Sequence, residues 1–182
     1  MPQQSTPQES AIASLYIQAV RQGQSLWFQV ASNSMTPMFR VGDEVHIEPA
    51  RANEIRPGEI AAFETANGLM IHRIICCQET GETVRLLQMA DVELHASWVE
   101  EQAVVGRVIA IRRQARQTDL RHPIVQWCGK VTAQLRYQSY IWKKYRLLKI
   151  VLRRCSRLVI HISYWCIRRC CSSSATPDDP SM

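Results

Sequence analysis

The chain has no Cys-x-x-Cys pair, no lysine before Lys130 and no run of about 18 uncharged apolar residues. Without cysteines at ligand spacing, a structural zinc site has no support. No other motif implies a metal or a cofactor. The seven cysteines are an odd number, and the adjacent pairs Cys76-Cys77 and Cys170-Cys171 make a poor disulfide framework. Reduced thiols and a cytoplasmic setting are the simplest reading. The missing apolar run excludes a clear helical membrane span. Met1 to Glu9 lacks a basic residue and Ser10 to Gln24 is too polar for a signal core, so no secretory signal is expected.

Acidic residues are nearly missing from one region. Residues 112–171 hold a single acid, Asp119, and carry a net charge of +14. Residues 1–111 carry −6, and the tail 172–182 carries −2. Such a split separates a mildly acidic front from a back segment suited to anionic lipid or nucleic acid.

The front half reads as short strands. Residues 1–25 form a leader and a short helix from Ser10 to Val20, with Ile12, Leu15, Tyr16 and Val20 on one face and Gly23 ending it. Leu26 to Val30 is a strand. Glu44 to Glu48 alternates and stops at Pro49, and Glu59 to Phe63 follows a Pro57-Gly58 turn. Asn67-Gly68 is a hairpin signal before Leu69 to Cys77. Thr83 to Met89 and Ala103 to Ile111 complete six strands. This spacing predicts a mainly β domain, a small barrel or sandwich, over residues 26–117. Residues 118–171 read as a basic amphipathic helical extension, and 172–182 as a disordered tail.

Within the β region, Ser34 follows a strand and precedes a proline turn. A serine hydroxyl is inert alone and needs an adjacent base; the plainer role for Ser34 is that of a turn residue. All four lysines lie beyond the β region, so a Ser–Lys pair inside it is impossible. Three histidines lie inside it, His46, His72 and His95. His72 is the preferred base because apolar strand residues surround it; burial would fix the ring and hold its pKa near or below neutral.

The run Ser34-Met35-Thr36-Pro37, followed by Gly42-Asp43, resembles the nucleophile motif of type I signal peptidases, in the wider group that includes the self-cleaving SOS repressors. Met70-Ile71-His72-Arg73-Ile74 is similar to the endoplasmic-reticulum and sporulation-type branch, where His replaces Lys as base. Met89-Ala90-Asp91 sits where that branch has Lys-Gly-Asp, and Val105-Gly106-Arg107-Val108 where it has a closing Gly-Arg/Lys-Val strand. The matches span roughly residues 26–113. The resemblance implies a signal-peptidase-like β domain with Ser34 as nucleophile, His72 as general base and Asp91 as a third member. It also implies an oxyanion hole from Ser32 and the Ser34 N–H. Gly42-Asp43 and Gly58-Glu59 carry structural roles in it. Three departures are visible: Ala90 for a Gly, Asn33 for a Gly, and Ser97 where a second Asp is expected.

The expected activity is cleavage of a peptide or precursor protein by a serine endopeptidase. The alternatives are a catalytically silent binding module and a self-cleaving regulator; no helix-turn-helix domain precedes residue 26 to favour the latter. Signal peptidases carry a membrane helix that is missing here. Residues 140–169 mix bulky apolar side chains with nine basic ones, which fits a helix lying on an anionic membrane surface. Nucleic acid is the weaker partner because the segment is so apolar. The expected location is cytoplasmic or peripheral to a membrane.

Overall fold

Ile60 to Phe63 is a continuous apolar run, as a strand covered on both faces requires. The computed structural model bears this out and describes residues 7–66, 68–81, 83–93, 95–141, 151–152, 154–162 and 172–174. Ile60 and Ala62 enter one apolar cluster with Val45, Ile47, Val108 and Phe39. Ala61 and Phe63 enter a second with Ile55, Ile74 and Leu86. Successive strand side chains point to opposite faces, so this one strand divides the core.

A helix α1 (Pro7–Arg21) precedes strands β1 (Leu26–Gln29), β2 (Glu44–Pro49), β3 (Ile60–Thr65), β4 (Gly68–Thr80), β5 (Thr83–Met89), β6 (Ala96–Glu100), β7 (Val104–Arg113) and β8 (Arg116–Asp119). Helix α2 (Pro123–Ile141) follows, and Ser172–Ser174 forms β9. The strands make one antiparallel sheet in the order β1-β2-β7-β3-β4-β5-β6, with β8 beside β7 and β9 beside β8. The sheet curls into a half-barrel, and the fold is mainly β with a helical C-terminal part. The thirteen-residue β4 pairs with β3 through Arg73 and with β5 from Arg73 onward, with a bulge between Ile74 and Cys76.

All six expected strands are present. Three more were not legible. β6 and β8 are five- and four-residue segments of mixed polarity, and β9 is three serines paired to β8 within the expected disordered tail. Among the described side chains of α1 the buried ones are Ile17 and, as expected, Val20, whereas Leu15 is 67% exposed. The buried stripe thus lies one residue round the helix from the expected Leu15 and Tyr16; the Tyr16 ring instead meets Phe28 at 5.2 Å. Gly23 ends the helix as expected, at φ 99°.

Helix α2 lies on the sheet. Its Ala133 is buried with Ile75, Leu87 and Met89. The contact is close because two glycines face each other: a methyl group on Gly129 would stand 2.6 Å from the Gly58 carbonyl oxygen. Among the described residues no helix is long and apolar enough to cross a membrane. Residues 142–150, 153 and 163–171, which include most of the expected basic interfacial segment, lie outside the described residues.

Gly129→Ala is expected to lower the unfolding free energy by about 1–3 kcal/mol, because the methyl meets backbone rather than a movable side chain. Alanine's helix preference over glycine, about 1 kcal/mol, would act in the opposite direction. Urea unfolding monitored by circular dichroism measures the difference, and a raised midpoint would contradict the close contact.

Candidate active site

Ser34 sits in the turn after β1. The turn is closed at its base by Val30 N–H donating to Asp43 O at 2.7 Å and by Gly42 N–H donating to Val30 O at 3.0 Å. Gly42 has φ 90°, which a side chain would strain. The Asp43 carboxylate accepts from the Arg40 N–H at 2.8 Å and pairs with Arg113. Met35, Met38 and Phe39 are buried and pin the turn to the core, and the Thr36–Pro37 peptide is cis. Anchored this way, Ser34 stays partly exposed, and its Oγ lies 3.2 Å from Ser32 Oγ.

His72 lies on β4, and strand alternation decides what it can touch. Ile74 pairs with Gln88 across β4 and β5, and Gln88 pairs with Ser97 across β5 and β6. His72 precedes Ile74 by two residues and so shares its face, as a diagonal neighbour of Gln88. Its Nδ1 is hydrogen-bonded to Gln88 Oε1. Burial holds the His72 pKa below the ordinary 6.5, outweighing the opposing pull of the Gln88 hydrogen bond, Glu93 and Asp91. The imidazole is thus kept neutral near neutral pH, the state in which it accepts a proton.

Asp91 takes a different position. Arg73, the next residue along, points to the opposite face, and Asp91 goes with it. The Asp91 carboxylate accepts from Arg73 Nε at 3.0 Å and Nη2 at 2.8 Å. The two side chains are 3% and 0% exposed. Arg136 of α2 approaches within 3.9 Å of the same carboxylate and donates to the carbonyls of Ala90 at 2.8 Å and Asp91 at 2.5 Å. The hydrogen-bond partner of the His72 ring is the Gln88 carbonyl oxygen, not Asp91.

The Ser34 turn reaches the segment after β5 through the backbone. Val92 N–H donates to Ser34 O at 3.1 Å, three residues beyond Met89, which the β4–β5 register pairs with Arg73. Arg73 also contacts Met38 Sδ, within the Ser34 turn, at 3.1 Å. No hydrogen bond joins Ser34 Oγ to the His72 ring among the described residues; such contacts often tighten only when substrate binds. His46 stacks on Trp27 at 4.7 Å, on β1 and β2. The Cys77 thiol, also on β4, is pushed up to about 11 by burial, so its thiolate is negligible at neutral pH. Among the described residues, no three His, Cys, Asp or Glu side chains converge as a metal site would require.

Compared with known families, residues 2–109 match the Peptidase S24-like family. The chain belongs to this family. Membership makes it, at family level, a serine peptidase, and the matched span contains Ser32, Ser34, His72, Gln88, Asp91 and Ser97. Arg136 lies beyond it. No curated protein matches the chain at a significant level.

Gln88 and Arg136 were missed in the sequence, and Ser97 entered it only as a departure from an expected Asp. A polar Gln within Leu86-Leu87-Gln88-Met89 is a visible signal, but only the strand register aims it at His72. Arg136→Met is expected to cost about 3–5 kcal/mol in urea unfolding, because it strips a cation from a buried network and leaves carbonyls unpaired. A loss below about 1 kcal/mol, the range of a surface pair, would show that the network contributes little.

Proposed function

We propose that this chain is a serine endopeptidase in which Ser34 attacks the scissile carbonyl of a peptide or precursor protein and His72 takes its proton. The reading is supported by a half-buried imidazole on β4, kept neutral by desolvation and engaged at Nδ1, together with a rigid turn that presents Ser34. His72 Nε2 receives the Ser34 hydroxyl proton as Oγ bonds to the carbonyl carbon. The oxyanion is met by the Ser34 N–H and the Ser32 hydroxyl, which stands 3.2 Å from Ser34 Oγ. His72 then returns the proton to the leaving amine, and water, deprotonated by His72, hydrolyses the acyl-enzyme. The use of His where the chain has no lysine supports assignment to the His-containing branch of the signal-peptidase-like group. Asp91 contributes by holding Arg73 and the segment that reaches the Ser34 carbonyl.

Labelling of Ser34 by a fluorophosphonate probe, read by intact mass, tests this. Wild type should label, and Ser34→Ala should not label while unfolding at the same urea concentration. Because His72 must be unprotonated and burial lowers its pKa, labelling should rise with pH along a limb centred below 6.5 and then level off. A limb centred near 9 would identify another base. A folded wild-type chain that never labels would instead make it a binding module, and fragment masses without added substrate would mark self-cleavage.

The basic C-terminal segment is proposed to rest on an anionic membrane surface. Trp127, Val151 and Leu158 are 65%, 54% and 61% exposed, beside the basic Lys130, Arg154 and Arg157. Interfacial binding combines such apolar burial with roughly 1 kcal/mol per basic residue near the headgroups. The chain should co-sediment with phosphatidylserine-containing vesicles at low salt, and less so at high salt. Equal recovery in the supernatant with anionic and neutral vesicles would sink the membrane reading.

A further inference from the structure

Gln88 and Ser97 have no part in the mechanism as drawn so far, yet Gln88 is only 5% exposed and sits at the end of an apolar strand stretch. A buried amide needs partners at both ends. Gln88 has them: Oε1 faces His72 Nδ1, and Nε2 donates to Ser97 Oγ at 2.5 Å. The three residues stand on three adjacent strands, β4, β5 and β6, all on one face of the sheet. A carbonyl oxygen can only accept, so a ring nitrogen facing it must carry the hydrogen.

We propose that Gln88, itself anchored by Ser97, is the positioning residue of His72, holding hydrogen on Nδ1 and so leaving Nε2 free to take the Ser34 proton. This rests on the Ser34–His72 reading above. It assigns to a neutral amide the place that a carboxylate takes in a Ser-His-Asp arrangement. The difference has a chemical consequence. A carboxylate both orients the ring and stabilises the imidazolium, whereas an amide does only the first. The surroundings do not make up the charge. From the segment after β5, Glu93 and Asp91 act on the ring only through space, and Asp91 is committed to Arg73 and Arg136. β3 places Ala61 opposite His72, and β6 contributes Ser97, neither of them ionisable in this range. Arg73 of β4 itself points to the other face.

The test uses the full chain with 15N-labelled histidine, comparing wild type with Gln88→Glu, Gln88→Leu and Ser97→Ala. NMR reads the tautomer and titration of His72, and fluorophosphonate labelling reads the reactivity of Ser34. In wild type the His72 hydrogen is expected on Nδ1. Gln88→Glu should raise the His72 pKa by about 1–3 units and carry the acid limb of labelling upward with it. Gln88→Leu should erase the tautomer preference and slow labelling by at least roughly tenfold, with Ser97→Ala intermediate. A purely structural Gln88 would move stability but neither the tautomer nor the pH limb. Hydrogen on Nε2 in wild type, or an unmoved His72 titration in Gln88→Glu, overturns the proposal. If Gln88→Leu does not fold, the Gln88→Glu titration decides. If wild-type Ser34 does not label, the peptidase reading fails by itself, and the tautomer and titration still decide whether Gln88 holds the ring.

Discussion

The buried pair of Arg73 and Asp91 is the joint on which the rest of the site depends. Both side chains have been taken out of water, which is costly unless every donor and acceptor finds a partner. They do: Arg73 adds a bond to the Gly58 carbonyl at 2.9 Å, and Arg136 arrives from α2 to hold the same segment. Three elements are thereby locked together, namely β4, the segment after β5, and α2. The Ser34 turn is attached to that joint twice, at Met38 and through Val92. The helix that looks like an appendage is therefore part of what holds the candidate nucleophile in place.

Strand alternation then separates two tasks between neighbouring residues. His72 and Arg73 are adjacent in the chain and face opposite sides of the sheet. Arg73 takes Asp91 and serves the scaffold; the His72 ring takes Gln88. Asp91 acts on the His72 ring only through space, because an odd offset in register sends its carboxylate to the other face.

The charge split has a similar resolution. The +14 of residues 112–171 suggests a free basic surface, but several of those arginines are used inside the fold. Arg112 pairs with Glu44, Arg113 with Asp43, Arg121 with Asp119, and Arg136 with Asp91. Three of these four acids belong to the acidic front half. Front and back are complementary parts of one unit as far as Ile141.

By itself, the sequence determined the strand-rich character of the front half, the helix end at Gly23, the turn that presents Ser34, and the lack of any lysine within the β region. These are local properties: alternation, turn chemistry and composition act over a few residues. Three things were decided only by the tertiary structure. The short polar strands β6 and β8 exist because β5 and β7 offer them edges, not because Ala96 to Glu100 or Arg116 to Asp119 favours a strand alone. Helix α2 joins the sheet because Gly58 and Gly129, seventy-one residues apart, let two backbones approach. Gln88 reaches His72, and Asp91 does not, because the pairing of β4 with β5 fixes which side chains share a face, and register is a relation between strands that neither strand contains.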